Sequence, residues 1–478
     1  MRDLQSIISS RGPIRTVGVI GMGYVGIPAA ALFADTSCFE HVYGFQRDSE
    51  TSGYKIPMLN RGESPLKGEE PGLEELLTKV TGAGRFTCTP DFSRIAECDA
   101  VTLAIQTPFA NPKDLEPDFG ALIAGIRNAG RYITEGALVV LESTITPGTT
   151  AGMAREILEE ESGMKAGVDF ALAHAPERVM VGRLLKNIRE HDRIVGGIDE
   201  VSTVRACELY RPVLTRGKVI SMTATAAEVT KTAENTFRDL QIAAVNQLAL
   251  YCEAMGINFY DVRTGVDSLK GEGITRAMLW PGAGVGGHCL TKDTYHLERG
   301  VKLADGDLDF PDDLASLYVS ARRVNDFMPE HMLHLTESAL KMAGKTLAGS
   351  KIALLGWAFL NDSDDARNTP AAPFYEAAIA AGAEVSVHDS WVNPETAPDV
   401  PAGLSHDLNA VLRGADAVAI FAGHKEYRGL VPLDVKRLCG CERPVVVDGR
   451  NVVEPDVWIR AGFVYQGIGR GDKNGVFE

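Results

Sequence analysis

Thr16-Val-Gly-Val-Ile-Gly-Met-Gly-Tyr-Val-Gly26 decides the fold of the N-terminal third. The apolar run Thr16 to Ile20 reads as a buried strand. Gly21, Gly23 and Gly26 follow at once in G-x-G-x-x-G spacing, with Tyr24 and Val25 in the same turn. Such glycines permit a tight turn and close backbone approach. Pro28 to Phe33 then opens a helix whose N-terminus offers N–H groups and positive dipole to a pyrophosphate. A glycine triplet alone is a weak sign, but between a strand and a helix it predicts a dinucleotide site.

Outward from that turn, Val42–Phe45, Ala100–Ile105, Ala137–Leu141 and Phe170–Ala173 alternate with helical patterns, which predicts βαβ units in a parallel, doubly wound sheet. The pattern returns at Lys351–Leu355 with Gly356 behind it, then Glu384–Asp389, Asp416–Phe421 and Pro444–Asp448, where the series is expected to end. Between the two blocks, residues 226–255 hold no Gly or Pro, so one helix of about eight turns is expected. A second helical run, Asp313 to Met328, is followed by another from Pro329. The expected class is therefore α/β, with two Rossmann-like doubly wound parallel-sheet domains joined by a central helical domain with one long helix. Their expected bounds are 1–215, 216–345 and 346–478, with linkers near 210–225 and 343–350.

Composition excludes several function classes. The 478 residues are 45% hydrophobic and 23% charged, ordinary for a soluble globular protein. A net charge of −16 disfavours nucleic acid and anionic lipid as partners, so an anionic ligand must be held by local cations and backbone N–H groups. Eight scattered cysteines contain no paired C-x-x-C set, which indicates neither a metal site nor a disulfide framework. No apolar run is long enough to span a membrane, and Met1 to Arg15 lacks a secretory core. A reduced, cytoplasmic enzyme is expected.

Two further stretches carry chemistry. In Pro281-Gly-Ala-Gly-Val-Gly-Gly-His-Cys-Leu-Thr-Lys-Asp293, glycines 282, 284, 286 and 287 deliver the thiol of Cys289, with Asp293 four residues on. A plain turn around a buried cysteine is the alternative. On the long helix, Lys231 and Asn235 stand four apart and share one face. An acidic residue for the adenosine ribose is expected about 20 residues past the glycine turn; that place holds Gln46-Arg47-Asp48. NAD remains the expected cofactor, and Arg47, able to meet a 2′-phosphate, keeps NADP open.

Over residues 14–470 the chain resembles the nucleotide-sugar 6-dehydrogenase family, which includes UDP-glucose, GDP-mannose and UDP-N-acetylhexosamine dehydrogenases. The resemblance rests on Gly21–Gly26, Pro71-Gly-Leu-Glu-Glu-Leu-Leu77, Thr107-Pro108 with Pro117-Asp118, Glu142-Ser-Thr-Ile-Thr-Pro-Gly-Thr149, Ala175-Pro-Glu-Arg178, Lys231 with Asn235, Gly286-Gly-His-Cys289 with Lys292-Asp293, and Asp365-Ala-Arg367. Ala175-Pro-Glu-Arg178, Glu234-Asn-Thr-Phe-Arg-Asp239 and Ala321-Arg-Arg-Val-Asn-Asp326 look like the branch acting on UDP-N-acetylmannosamine or UDP-N-acetylgalactosamine. Gln46, Gln106 and Leu360 depart from the family pattern, the last replacing a lysine.

The resemblance implies NAD-dependent four-electron oxidation of the sugar C6 alcohol to a carboxylate, with UDP-glucose as the alternative substrate and a two-electron dehydrogenase as the alternative reaction. A thiol allows the second oxidation by making a thiohemiacetal that becomes a thioester. It casts Cys289 as nucleophile, Lys231 and Asn235 as oxyanion stabilisers, Asp293 as an orienter of Lys231 or of a water, Glu177 as the base for the hydrolytic water and Thr144 as its positioner. Thr107 and Glu142 fall on the cofactor side. Gly286, His288, Arg178, Arg276, Arg322, Arg323 and Arg367 are candidates for holding the UDP-sugar. A homodimer or higher homo-oligomer is expected.

Overall fold

The computed structural model describes residues 3–475 apart from 67–69, 112–114, 181, 270–277, 304–315, 396 and 398–399. The chain divides into two compact units, Met1–Glu234 with Tyr295–Asp309, and Asn235–Thr294 with Phe310–Glu478.

The first unit is built on strands β1 (Thr16–Ile20), β2 (His41–Phe45), β3 (Phe86–Thr89) and β4 (Ala100–Leu103). A small ribbon of β5 (Phe109–Asn111) and β6 (Glu116–Pro117) follows, then β7 (Leu138–Leu141), β8 (Ala171–His174), β9 (Arg193–Gly197) and β10 (Val219–Thr223). Eight of these form one sheet in the order β10-β9-β8-β7-β4-β1-β2-β3. Its inner strands are apolar on both faces because helices cover both. From β1 the chain moves to β2 and β3 on one side, then crosses to β4 on the other. The carboxyl ends of β1 and β4 thus flank a topological switch point, where such sheets bind ligands.

The sheet is not wholly parallel as expected. Ala173 pairs with Gly197 and His174 with Gly196 in antiparallel register, and β10 lies parallel to β9. Among its described residues, the link from β8 to β9 contains only the short helix Leu184–Glu190, and the chain re-enters the sheet from the edge it has just left. Strand β10 occupies part of the stretch read as a linker.

In the second unit, β11 (Lys351–Leu355), β12 (Glu384–His388), β13 (Ala417–Ile420), β14 (Val445–Asp448) and β15 (Val464–Gly467) form a parallel sheet ordered β12-β11-β13-β14-β15. The series therefore continues one strand beyond Asp448. A single helix, Leu317–Met342, replaces the two expected about Pro329. Pro329 has no N–H for the carbonyl of Asn325, yet packing carries the helix through. Met328, Met332, Leu335 and Leu340 are buried with Ile352, Leu354, Val445 and Val447 of the sheet. The long helix runs Ala224–Ala254, 31 residues.

Candidate active site

The glycine turn after β1 divides its labour. Gly21 has φ +100°, and a Cβ there would lie 2.5 Å from the carbonyl oxygen of Ala104. A Cβ on Gly26 would lie 2.0 Å from the carbonyl oxygen of Gly21, so only glycine lets the helix Gly26–Asp35 close on the turn. Gly23 faces open space. No side chain caps that helix, which leaves its N-terminus to a ligand. These residues fit a dinucleotide. Gln46 does not project freely toward a ribose: its Oε1 accepts from the Met22 N–H at 3.2 Å and its Nε2 donates to Ser52 Oγ at 2.9 Å. Lys55 Nζ donates to the Met22 carbonyl at 2.9 Å, so both backbone polar groups of Met22 are held. Ser52 and Lys55 follow β2 at no regular spacing, and nothing in the pattern marks them. Arg47 is exposed beside them.

Loops leaving β4, β7 and β8 carry the next group. Thr107 Oγ1 donates to the Thr144 carbonyl at 2.5 Å, tying two of those loops together. Glu142, read as a cofactor contact, is buried; its Oε1 accepts from Arg193 at 2.9 Å and from Tyr210 Oη at 2.7 Å. Burial pushes its carboxyl up, against the pull of Arg193. Glu177 pairs with the same guanidinium and accepts the Arg178 N–H at 2.8 Å. Arg193 and Tyr210, members of this cluster, carry no motif signal. His174 is kept neutral: burial, with the Arg193 and Lys231 cations, pushes its imidazole down to about 3.

Lys231 is buried on the long helix. One turn earlier, Glu228 accepts from the Gly148 N–H at 2.6 Å and from the Thr150 N–H and hydroxyl at 2.8 and 2.6 Å. That carboxylate fixes the start of the long helix against the segment that follows Thr144, and so fixes the direction from which Lys231 projects. No motif in the sequence marks it.

In the second unit the thiol loop is pinned, not loose. A Cβ on Gly282 would lie 2.9 Å from Arg450 Nη1, one on Gly284 2.7 Å from Pro370, one on Gly286 2.4 Å from Phe359 Cβ and one on Gly287 2.8 Å from the Phe359 ring. The close approach that these glycines permit is therefore to protein. The Gly287 N–H donates to the Arg367 carbonyl at 2.8 Å, and Asn368 Nδ2 donates to the Gly287 carbonyl at 3.1 Å. Cys289 is exposed at the end of this loop. Asp293 begins the helix Asp293–Leu303; its N–H donates to the Cys289 carbonyl, and its carboxylate accepts from Asn235 at 2.5 Å and pairs with Lys292 at 2.9 Å. Lys292 was not foreseen in that role. Elsewhere, burial pushes the thiols of Cys88, Cys98 and Cys439 up to about 12 and raises those of Cys207, Cys252 and Cys441. Besides Cys289, the other exposed cysteine is Cys38.

Three stretches of the chain match the domains of one family. Residues 15–214 match the NAD binding domain, 225–326 the central domain and 353–455 the UDP binding domain of the UDP-glucose/GDP-mannose dehydrogenase family. The chain belongs to that family. It is 35% identical over 457 residues to the UDP-N-acetyl-D-mannosamine dehydrogenase of Pyrococcus horikoshii, covering 95% of this chain and 99% of that one. The crystal structure of NDP-N-acetyl-D-galactosaminuronic acid dehydrogenase from Methanosarcina mazei Go1 matches at a TM-score of 0.92 and 70% identity, with 100% of both chains covered. A UDP-glucose dehydrogenase from Pyrobaculum islandicum matches at 0.78 and 27%, covering 95% and 98%.

As an NAD-dependent nucleotide-sugar dehydrogenase, the chain must bind anions, and its candidate arginines divide sharply. Arg322 turns inward: 1% exposed, it pairs with Asp239 at 2.5 Å and Asp326 at 2.7 Å. The expected substrate contact there gives way to an internal ion pair, because Asp239 is itself buried and needs a cation. Arg367 lies half-buried against Asp365, with bonds of 2.8 and 2.6 Å. Arg178 donates to the Asp192 carbonyl and lies 3.5 Å from Glu234. Arg323 is exposed, and Arg276 lies outside the described residues. His288 is half-buried; burial, then Lys292 and Arg367, push its imidazole down. No described helix is long and apolar enough to cross a membrane.

Proposed function

We propose that this dehydrogenase oxidises the C6 hydroxyl of a UDP-N-acetylhexosamine to the uronate through a thiohemiacetal and a thioester on Cys289. The observation that carries the reading is an exposed thiol at the end of a pinned glycine loop, in a chain that buries most of its other cysteines. A dinucleotide held at the Gly21–Gly26 turn would supply the hydride acceptor, one NAD for each of the two oxidations. Cys289 adds to the aldehyde carbon, forming the C–S bond while the carbonyl oxygen becomes an oxyanion. After the second oxidation, water attacks the thioester, and the C–S bond breaks to give the carboxylate and the thiol. Lys231 and Asn235 supply the charge and the neutral donor for the oxyanions, help worth about 3 kcal/mol. Asp293 orients Asn235, an inference supported by their hydrogen bond. Glu177 takes the proton from the water that Thr144 positions.

For the sugar, the 70% identity to the galactosaminuronate enzyme supports the N-acetylgalactosamine form. The mannosamine relatives, at 35% identity and below, support the second reading. Residues 1–215 would hold the dinucleotide, 216–345 form the helical middle and 346–478 hold the UDP moiety, a division that the three family matches favour. Exposed Phe237 and Tyr251 on the long helix support self-association through it, and eight free cysteines support a reducing, cytoplasmic setting. A panel of UDP-sugars followed by NADH absorbance tests both points at once. Two NADH per sugar are expected, and none of the uronate from Cys289→Ala; one NADH per sugar, or uronate from that variant, would remove the thioester step.

A further inference from the structure

The reversal of β9 brings a cation to a place that a parallel strand would not reach. Ala173 faces Gly197 and His174 faces Gly196; continuing that register three residues along each strand sets Arg193 opposite Glu177. In a parallel strand the first residue would stand at the far edge of the sheet. One guanidinium nitrogen of Arg193 meets Glu177; the other donates to Glu142 at 2.9 Å and to the Ala175 carbonyl at 2.8 Å. The guanidinium lies over the Tyr210 ring at 4.3 Å, and the Tyr210 hydroxyl supports Glu142 from the other side. The second oxygen of Glu177 accepts the Arg178 N–H. Both oxygens of Glu177 are thus fixed, one by a planar fork that is itself held on three sides. Lysine, a point charge, cannot reproduce this grip.

We propose that Arg193 is a positioning residue for thioester hydrolysis: it sets the orientation in which Glu177 draws a proton from water. Arg193 touches no reacting atom, and the inference rests on the reading of Glu177 as the base. Two carboxylates share the one cation, so its loss frees both.

Arg193→Lys keeps charge and bulk but loses the fork. A misplacement of about 1 Å at a general base costs roughly a hundredfold. The expected result is a kcat about a hundredfold lower, with KM for the UDP-sugar held within about threefold. The sugar adduct on Cys289 should also accumulate during turnover, read by intact-protein mass. A residue that merely holds the fold would lower the melting temperature and leave no adduct. Glu177→Gln is run alongside. If Glu177→Gln stalls with adduct while Arg193→Lys turns over normally and shows none, the role of Arg193 is overturned and the base reading stands. If Glu177→Gln itself turns over freely, the base reading falls and the inference with it. Should Arg193→Lys fail to fold, Tyr210→Phe removes only the hydroxyl behind Glu142 and is read in the same two ways, with a drop of about tenfold expected.

Discussion

Gly287→Ala tests whether the thiol loop is pinned. Its φ is +88°, where an alanine costs about 1–2 kcal/mol. The added Cβ would stand 2.8 Å from the Phe359 ring, roughly 0.7 Å inside a comfortable carbon–carbon contact. Overpacking of that kind adds about 1–3 kcal/mol. Together they should lower the melting temperature by roughly 5–15 °C, and a shift of the loop at Cys289, two residues on, should cut kcat by about a hundredfold. Gly286→Ala should be as damaging for another reason, because its Cβ would lie 2.4 Å from the Cβ of Phe359. The two sites then differ in rescue. Phe359→Ala removes the ring, so it should restore about 1–2 kcal/mol to Gly287→Ala. At Gly286→Ala it relieves only the 2.8 Å contact with Cγ and leaves those with Cβ at 2.4 Å and the Asn368 carbonyl at 3.0 Å, so it should restore less there. Thermal denaturation of the four variants, with kcat for each, makes the comparison. A Gly287→Ala enzyme with unchanged melting temperature and kcat, or equal rescue at both glycines, would refute the reasoning.

Gly26→Ala places a methyl 2.0 Å from a backbone oxygen that cannot swing away, so NADH formation should fall by at least a hundredfold, with the binding of UDP, measured calorimetrically, unchanged. Arg322→Met leaves Asp239 buried without its cation and should cost about 3–5 kcal/mol in denaturant melts, while the KM for the UDP-sugar moves little. Burial pushes the Asp389 carboxyl up, but the hydrogen bond from His424 and backbone N–H groups hold it below its usual 3.8. A depressed native value contributes stability that is complete above about pH 4 and lost as pH falls through that value. Asp389→Asn should therefore be less stable by about 2 kcal/mol at neutral pH, and its deficit should shrink on acidification. A constant deficit at all pH values would contradict this.

The sequence made the β1 turn legible because Gly21 and Gly26 each have a steric job that only glycine does, and because their spacing sits between a strand and a helix. The buried inner strands were legible for a related reason: a strand covered on both faces is apolar at nearly every position, with Thr102 and His174 as exceptions. Edges were not. Strands β3 and β10 mix polar with apolar residues, and the reversal of β9 depends on a connection whose direction no local pattern encodes. At the site, the thiol and its neighbours stood out as motifs, whereas Arg193, Tyr210 and Glu228 did not. Each meets its partner through pairings remote in sequence, Glu228 with Thr150 and Arg193 with Glu142. Asp389 shows the converse. It follows directly on the second strand of its sheet, where a ribose-binding carboxylate is expected, yet both its oxygens accept backbone N–H groups of its own chain: Trp357 and Ala358 on one, Trp391 and Val392 on the other.

The distribution of sulfur gives the molecule a practical handle. A mild electrophile added at neutral pH should find five thiols buried, Cys441 half-buried and two, Cys38 and Cys289, in reach. With Cys38 and Cys441 changed to serine, one reporter position remains, and on the proposed reading of Cys289 as the nucleophile the fraction of it blocked by a saturating sugar nucleotide would gauge occupancy without turnover. A reactive warhead mounted on a UDP scaffold would have a single address.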